Sequence, residues 1–149
     1  MNQEFIPYEQ ALELKKLGFD QHCLAFYGGD GDSKIYYNSI RNGSGDYEPY
    51  KASERLKWFG APLYQQAFRW FREKFEFTYS IGKTNIAVVH YLGTTQLLQD
   101  NESYEAAELA AIKWFIDVAK QQIADTSQWI SNEVDKMVVE QLIEIAKQQ

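Results

Sequence analysis

Apolar residues recur at helical spacing in three segments of the first 122 residues. The clearest segment opens at Pro62 and continues to about Phe75, with polar residues along the side opposite the apolar one. A shorter helix is predicted over residues 7–17, and Gly18 ends it because glycine readily takes the left-handed conformation of a helix C-terminus. A long third helix is predicted from Ser103, its N-cap, to about residue 122.

Two pairs of short segments are rich in the aromatic and branched residues of β-strands. Residues 22–27 and 34–40 flank a glycine-rich turn at 28–33, and residues 77–81 and 86–92 flank a turn at 82–85. Each pair predicts a β-hairpin. Residues 41–60 hold no sustained period and predict a long surface loop. The element order predicts an α+β fold: two β-hairpins form an antiparallel sheet packed against three helices, with an additional C-terminal helix.

The last 27 residues carry a further apolar pattern at helical spacing. Asp125, Thr126 and Ser127 are residue types that cap helices, so a separate last helix is expected there. The similar ends at 115–122 and 142–149 indicate either a partial repeat or the ordinary likeness of amphipathic helices. The third helix is apolar around most of its circumference and needs cover. We expect residues 1–122 to form the α+β core domain and residues 123–149 a helical extension packed on the core or on a partner subunit, which would make a homodimer or higher homo-oligomer.

Composition and charge limit the classes of protein that this chain can belong to. Of its 149 residues, 45% are hydrophobic and 15% aromatic, which supports one folded core and excludes global disorder. The formal net charge of −6 argues against a protein that coats extended nucleic acid, because neutralising phosphates needs a basic surface. Residues 51–74 are an exception, with six basic and two acidic residues.

The sequence also indicates where the protein acts. No apolar run approaches the ~20 residues of a membrane-spanning helix, and the first residues lack the basic start and apolar stretch of a signal peptide. A single cysteine, Cys23, excludes an internal disulfide. We therefore expect a cytoplasmic protein with no membrane partner.

Catalytic and metal chemistry finds little support in the residue pattern. Cys23 follows His22 on a predicted strand, where neighbouring side chains point to opposite faces and cannot form a pair. A pair of Cys23 with His90 stays open, although structural roles for these residues are the simpler interpretation. Zinc-ligand spacing is missing, and Arg41 occupies the position at which a calcium loop from Asp30 would need glutamate. We expect neither a metal nor a cofactor.

The most suggestive chemistry lies in the basic segment. Arginine offers forked donors to phosphate and exposed aromatic rings offer flat faces to a base, so such a mixture predicts a site for a small phosphate-bearing, nucleotide-like ligand. The predicted ligand-binding residues are Lys51, Arg55, Trp58, Tyr64, Arg69 and Arg72. The alternative is that the charges only solvate the outer face of a core helix while the aromatic residues pack inside it.

Three stretches of the chain carry a family resemblance: residues 5–12 with 17–20, residues 61–74, and residues 104–110. The middle stretch is the most specific, because it contains the run Phe-Arg-Trp-Phe-Arg-Glu-Lys. On these stretches the chain resembles a set of small, uncharacterised proteins encoded by phages and prophages of the Bacteroidetes. Those proteins usually stop soon after the third helix, so residues from about 123 onward look like an extension. The resemblance implies a phage accessory protein inside a bacterial host cell and brings no activity with it.

Three functions fit these observations. The first is a non-catalytic accessory protein that binds, either sequestering a nucleotide signal of host defence or blocking a host protein. The second is a small hydrolase acting on such a nucleotide, with His22 or His90 as base and Asp30 or Asp32 in support. The third is a structural protein that assembles through its C-terminal helices. The lack of a compact pattern of acid, base and nucleophile favours binding over catalysis.

Overall fold

A computed structural model of the chain describes residues 4–28, 33–37 and 59–147. Contacts divide the chain into two units, residues 1–116 and residues 117–149. The helices are α1 (Tyr8–Lys16), α2 (Tyr64–Phe75) and α3 (Tyr104–Lys147), and the strands are β1 (Ala25–Tyr27), β2 (Ile35–Tyr37), β3 (Phe59–Ala61), β4 (Thr78–Ile81), β5 (Ala87–Tyr91) and β6 (Thr94–Leu98). These elements confirm an α+β fold. None of the helices in the described ranges is long and apolar enough to cross a membrane.

The strands form two antiparallel three-stranded sheets, where the sequence predicted one sheet from two hairpins. The first sheet has the order β2-β1-β3, and Ala25 of β1 pairs with Tyr37 on one side and Ala61 on the other. The second has the order β4-β5-β6, with Val89 of β5 between Tyr79 and Gln96. Each predicted hairpin is therefore completed by a third strand.

The third strand of the first sheet corrects part of the loop predicted for residues 41–60. Residues 41–58 lie outside the described ranges, but residues 59–61 form β3, with Phe59 and Ala61 buried and Gly60 between them exposed. A β-carbon on Gly60 would lie 2.7 Å from the Cys23 sulfur, so only glycine lets the segment before β1 approach β3 so closely. A strand of three residues is too short for its alternation to be recognised in the sequence.

Helix α1 ends as predicted. Gly18 has a φ of 91°, and the amide of Phe19 donates to the Leu14 carbonyl at 3.0 Å while the Gly18 amide donates to Lys15. These are the two bonds of a Schellman ending. On the inner side of the helix, Ala11, Leu14 and Leu17 are buried.

Helix α2 buries the face that its periodicity predicts. The five apolar positions that the periodicity predicts are all buried, and Trp70 is buried with them; the five are Tyr64, Ala67, Phe68, Phe71 and Phe75. The chain reverses at Glu76, whose φ of 60° is left-handed and which donates its amide to the Arg72 carbonyl. This reversal returns Phe77 to Phe71, with the two ring centroids 5.8 Å apart.

The predicted separate C-terminal helix is wrong, because α3 continues without interruption from Tyr104 to Lys147. The expected cap residues make contacts within the helix: the Thr126 hydroxyl donates to the Gln122 carbonyl at 2.8 Å, and Gln121 donates to the Asp125 carboxylate at 2.7 Å. No glycine or proline stands between residues 104 and 147 to end the helix. All residues from 123 to 147 are exposed. The expectation that this segment packs on the core or on a partner subunit stays a prediction.

The turn between β5 and β6 provides a test of the fold. Leu92 and Gly93 have φ angles of 46° and 77°, the two positive values that a tight type I′ hairpin turn requires. A leucine is strained there, and Leu92 is also 76% exposed. We expect Leu92→Asn to stabilise the protein by roughly 0.5–1 kcal/mol in denaturant unfolding, because asparagine tolerates this conformation.

Leu97→Asn is the matched control. Leu97 is also exposed, at 53%, but lies within β6 and not in the turn. A similar gain in both variants would attribute the effect to lost apolar exposure and not to the backbone conformation of the turn.

Candidate functional site

A cavity of about 430 Å³ lies in the first unit, between the first turn of α2 and the first turn of α3. Its lining residues come from the N-terminal segment and from these two helix starts: Glu4, Leu63, Tyr64, Gln65, Tyr104, Glu105 and Glu108. The cavity is large enough for a small ligand or for a side chain of another protein.

Backbone contacts hold the first two walls of the cavity together. Phe5 forms a β-bridge with Leu63, and the amide of Ile6 donates to the Pro62 carbonyl at 2.8 Å. These contacts place Glu4 beside the start of α2. The side chain of Gln66 accepts from the Leu63 amide at 3.0 Å, which satisfies one of the free donors at this helix start.

The third wall depends on the cap of α3. Ser103 is the N-cap, as predicted: its hydroxyl accepts from the Ala106 amide at 3.1 Å. With the helix start fixed there, Tyr104, Glu105 and Glu108 fall at positions i, i+1 and i+4 and reach the same cavity.

The cavity is acidic. Three glutamates line it, Glu4, Glu105 and Glu108, and none of the described lining residues is basic. Partial burial, and secondarily the neighbouring charge of Glu105, raise the pKa of Glu108 above its ordinary value of 4.5. A positive charge placed in the cavity would favour the ionised form of Glu108 and so lower this pKa.

Tyrosine hydroxyl groups complete the site. Burial raises the pKa of Tyr64 to about 12, and the charge of Glu108 adds to the effect. The pKa of Tyr79 is also raised to about 12, again by burial first and then by Glu108. Tyr64 is only 7% exposed and makes no hydrogen bond to any other described residue. Its hydroxyl is therefore protonated and available to hydrogen-bond with a ligand in the cavity.

The structure describes three of the six residues predicted to form the anion site. Lys51, Arg55 and Trp58 lie outside the described residues. Tyr64 lies on the buried face of α2 and lines the acidic cavity, whereas Arg69 and Arg72 lie on the exposed face. Arg69 pairs with Glu73 at 2.9 Å, and both side chains are more than half exposed. The six-residue anion site stays a prediction.

The acidic cavity itself was not predicted. In the sequence, Tyr104, Glu105 and Glu108 belong to the predicted third helix and to the third stretch of the family resemblance, and neither assigns them to a site. Nothing in the spacing of residues 104–108 indicates that they face residues 63–65, because that pairing depends on tertiary packing.

The residues considered for catalysis are not assembled in the described structure. Strand β1 begins at Ala25, so His22 and Cys23 precede it, and His22 is exposed. The ring of His90 is hydrogen-bonded to the Thr95 hydroxyl at 2.9 Å. Cys23 is half-buried, and burial raises its pKa to about 11. Asp30 and Asp32 lie outside the described residues. Among the described residues, no three histidine, cysteine, aspartate or glutamate side chains are placed so that they could hold a metal ion.

Comparison with protein-family models, with curated proteins and with solved structures finds no match to this chain. Its function is therefore inferred from its own residues.

The raised pKa of Glu108 predicts a pH dependence of stability. Because the folded state holds this proton more tightly than the unfolded state, the contribution of Glu108 to the free energy of unfolding is fully present below pH 4.5. It is lost as the pH rises through the higher pKa of the folded state. We expect Glu108→Gln to remove this part of the decline, as measured by denaturant unfolding at a series of pH values from acidic to neutral.

Glu102→Gln is the control, since Glu102 is an exposed carboxylate just before α3 that does not line the cavity. Equal pH slopes for the wild type and Glu108→Gln would contradict the assignment of a perturbed carboxyl group to this cavity.

Proposed function

We propose that this protein acts by binding and not by catalysis, and that its cavity receives a cationic group, the ammonium or guanidinium of a basic side chain on a partner protein. The observation that carries the proposal is the lining of one cavity by three glutamates and by Tyr64, a tyrosine that is 7% exposed. In the setting that the phage resemblance implies, this favours a phage-type accessory protein that blocks a host protein in the bacterial cytoplasm.

The chemistry of the lining suits a cation. Lysine and arginine donate several N–H groups and accept none, while carboxylates only accept, so each hydrogen bond formed in the cavity is charge-assisted. The rings of Tyr64 and Tyr104 add faces that attract a cation. The net charge of −6 would also accelerate encounter with a basic partner.

The state of the possible catalytic residues also favours binding. The Cys23 thiol, with a pKa of about 11, is almost fully protonated at neutral pH and is therefore a poor nucleophile. His90 already shares a hydrogen bond with Thr95. The protonated thiol of Cys23 and the hydrogen-bonded ring of His90 fit structural roles better than catalytic roles in a hydrolase.

The nucleotide hypothesis is a second candidate, on a different surface. A phosphate in the acidic cavity would be repelled by Glu4, Glu105 and Glu108. The exposed side chains of Arg69 and Arg72 on α2 are the described groups that support a phosphate-bearing ligand outside the cavity.

Titration with short peptides tests the cation site. We expect the pentapeptide Gly-Gly-Lys-Gly-Gly and its arginine analogue to bind, and the analogue with acetylated lysine not to bind, because acetylation removes the charge. The combined variant Glu105→Gln and Glu108→Gln should weaken binding by at least about tenfold, the effect of losing a charge-assisted contact worth ~1.5–3 kcal/mol. Isothermal titration calorimetry measures both effects.

The Glu102→Gln variant is again the control and should bind like the wild type. Spermidine serves as a free polyamine: if it binds and the peptides do not, the cationic ligand is a small molecule and not a protein. Equal affinity for the lysine and acetyl-lysine peptides would contradict a cation site.

The anion site has a separate test. Arg69→Glu and Arg72→Glu should abolish binding of any member of a panel of cyclic and linear nucleotides, while changing the free energy of unfolding by about 0.5 kcal/mol or less, because both side chains are exposed. Heating the complex then releases the ligand, and an intact nucleotide indicates sequestration whereas an altered one indicates hydrolysis. Unchanged nucleotide binding in both variants would remove α2 from such a site.

A further inference from the structure

The tail segment of α3, residues 117–147, carries an unusual amount of exposed apolar surface. Ten of its large apolar side chains are between 44% and 64% exposed: Ile123, Trp129, Ile130, Val134, Met137, Val138, Val139, Leu142, Ile143 and Ile145. Proteins that stay monomeric seldom leave so many such side chains together in water.

The apolar positions follow an 11-residue repeat. Ile123, Val134 and Ile145 are eleven residues apart, and Ile130 and Val138 lie between them on the same side of the helix. Eleven residues in three turns correspond to about 3.67 residues per turn, close to the 3.6 of a straight α-helix. The apolar stripe, defined as these five residues, therefore keeps to one side of the tail segment along its length.

The stripe supplies about half of this exposed surface. Its five side chains, each about half exposed, present on the order of 400 Å² per copy, against ~800 Å² buried by each partner in an interface of standard size, so the pairing belongs to the smaller class of interfaces.

Two polar residues on the same side of the helix as the apolar stripe indicate what the partner is. They are Ser127 and Gln141, which lie seven residues before and seven residues after Val134. If the stripe faces the same stripe of another copy with Val134 at the centre, polar positions meet polar positions whether the helices run parallel or antiparallel. An apolar groove of a different protein would leave both side chains without hydrogen-bond partners.

We propose that the tail segment pairs with the tail segment of a second copy of this chain through the apolar stripe, with Val134 facing its counterpart. The pairing is isologous, so one surface serves both copies. It is independent of the cation site, whose residues all lie in the first unit.

Sedimentation equilibrium of the full chain tests the pairing. The wild type should be a dimer at micromolar concentration, and Val134→Glu should raise the dissociation constant by roughly a hundredfold or more, because it places an unpaired charge in each half of the contact. Asn132→Glu introduces the same charge on the opposite side of the helix and should leave the dimer intact. Circular dichroism of each variant confirms that the helix persists.

Cross-linking provides a second measurement that does not depend on a disruptive charge. In a Cys23→Ser background, Val134→Cys should form a disulfide-linked dimer on oxidation, and Asn132→Cys should not. A monomeric wild type, a dimer insensitive to Val134→Glu, or cross-linking at 132 in preference to 134 would overturn the proposal. So would a monomer that binds through the stripe to phosphatidylglycerol vesicles.

Discussion

The packing of three phenylalanine rings holds the first unit together. Phe71 of α2, Phe77 before β4 and Phe115 of α3 are almost fully buried, and their ring centroids lie 5.0–5.8 Å apart. Each ring comes from a different part of the chain, so burying them together fixes α2 against the second sheet and against the start of α3. Phe68 of α2 also contacts Phe115, with the ring centroids 5.9 Å apart, so a second aromatic contact holds these two helices together.

The features of the fold that could be predicted are those that depend on residues close together in the sequence. The apolar face of α2, the Schellman ending at Gly18 and the Ser103 cap all follow from the identities of residues within two turns of one another. Strand β3 was missed because it is three residues long and joins its hairpin from a distant segment. Strand β6 follows β5 through a two-residue turn, and it was missed because leucine is not a residue type expected at the first position of such a turn. The continuity of α3 was missed because Thr126 and Asp125 were read as caps, whereas in a helix without glycine or proline such side chains also bond to the preceding turn.

The candidate site also depends on contacts between distant segments, which the local sequence does not reveal. The basic residues of segment 51–74 lie close together in the sequence, so their clustering can be recognised without a structure. The carboxyl groups of the cavity come from Glu4 and from the pair Glu105 and Glu108, which are distant in sequence and meet only after folding. A perturbed pKa reports on such a meeting, and the charge of Glu108 affects both Tyr64 and Tyr79. Electrostatic coupling across elements therefore identifies a site that composition along the chain cannot.

The bridge between Phe5 and Leu63 has a consequence for the order of folding. Helix α2 and the second sheet are built from neighbouring segments, whose contacts close small loops, whereas the bridge closes a loop that spans more than a third of the chain. Closing so long a loop costs more chain entropy than closing the short loops within α2 and the second sheet, so we expect the bridge to form after them. The wall of the cavity that Glu4 supplies is then added to a scaffold that has already formed. A chain whose residues 4–6 have not docked would lack Phe5 and Ile6 in the core and Glu4 in the cavity, so docking of this N-terminal segment completes the site.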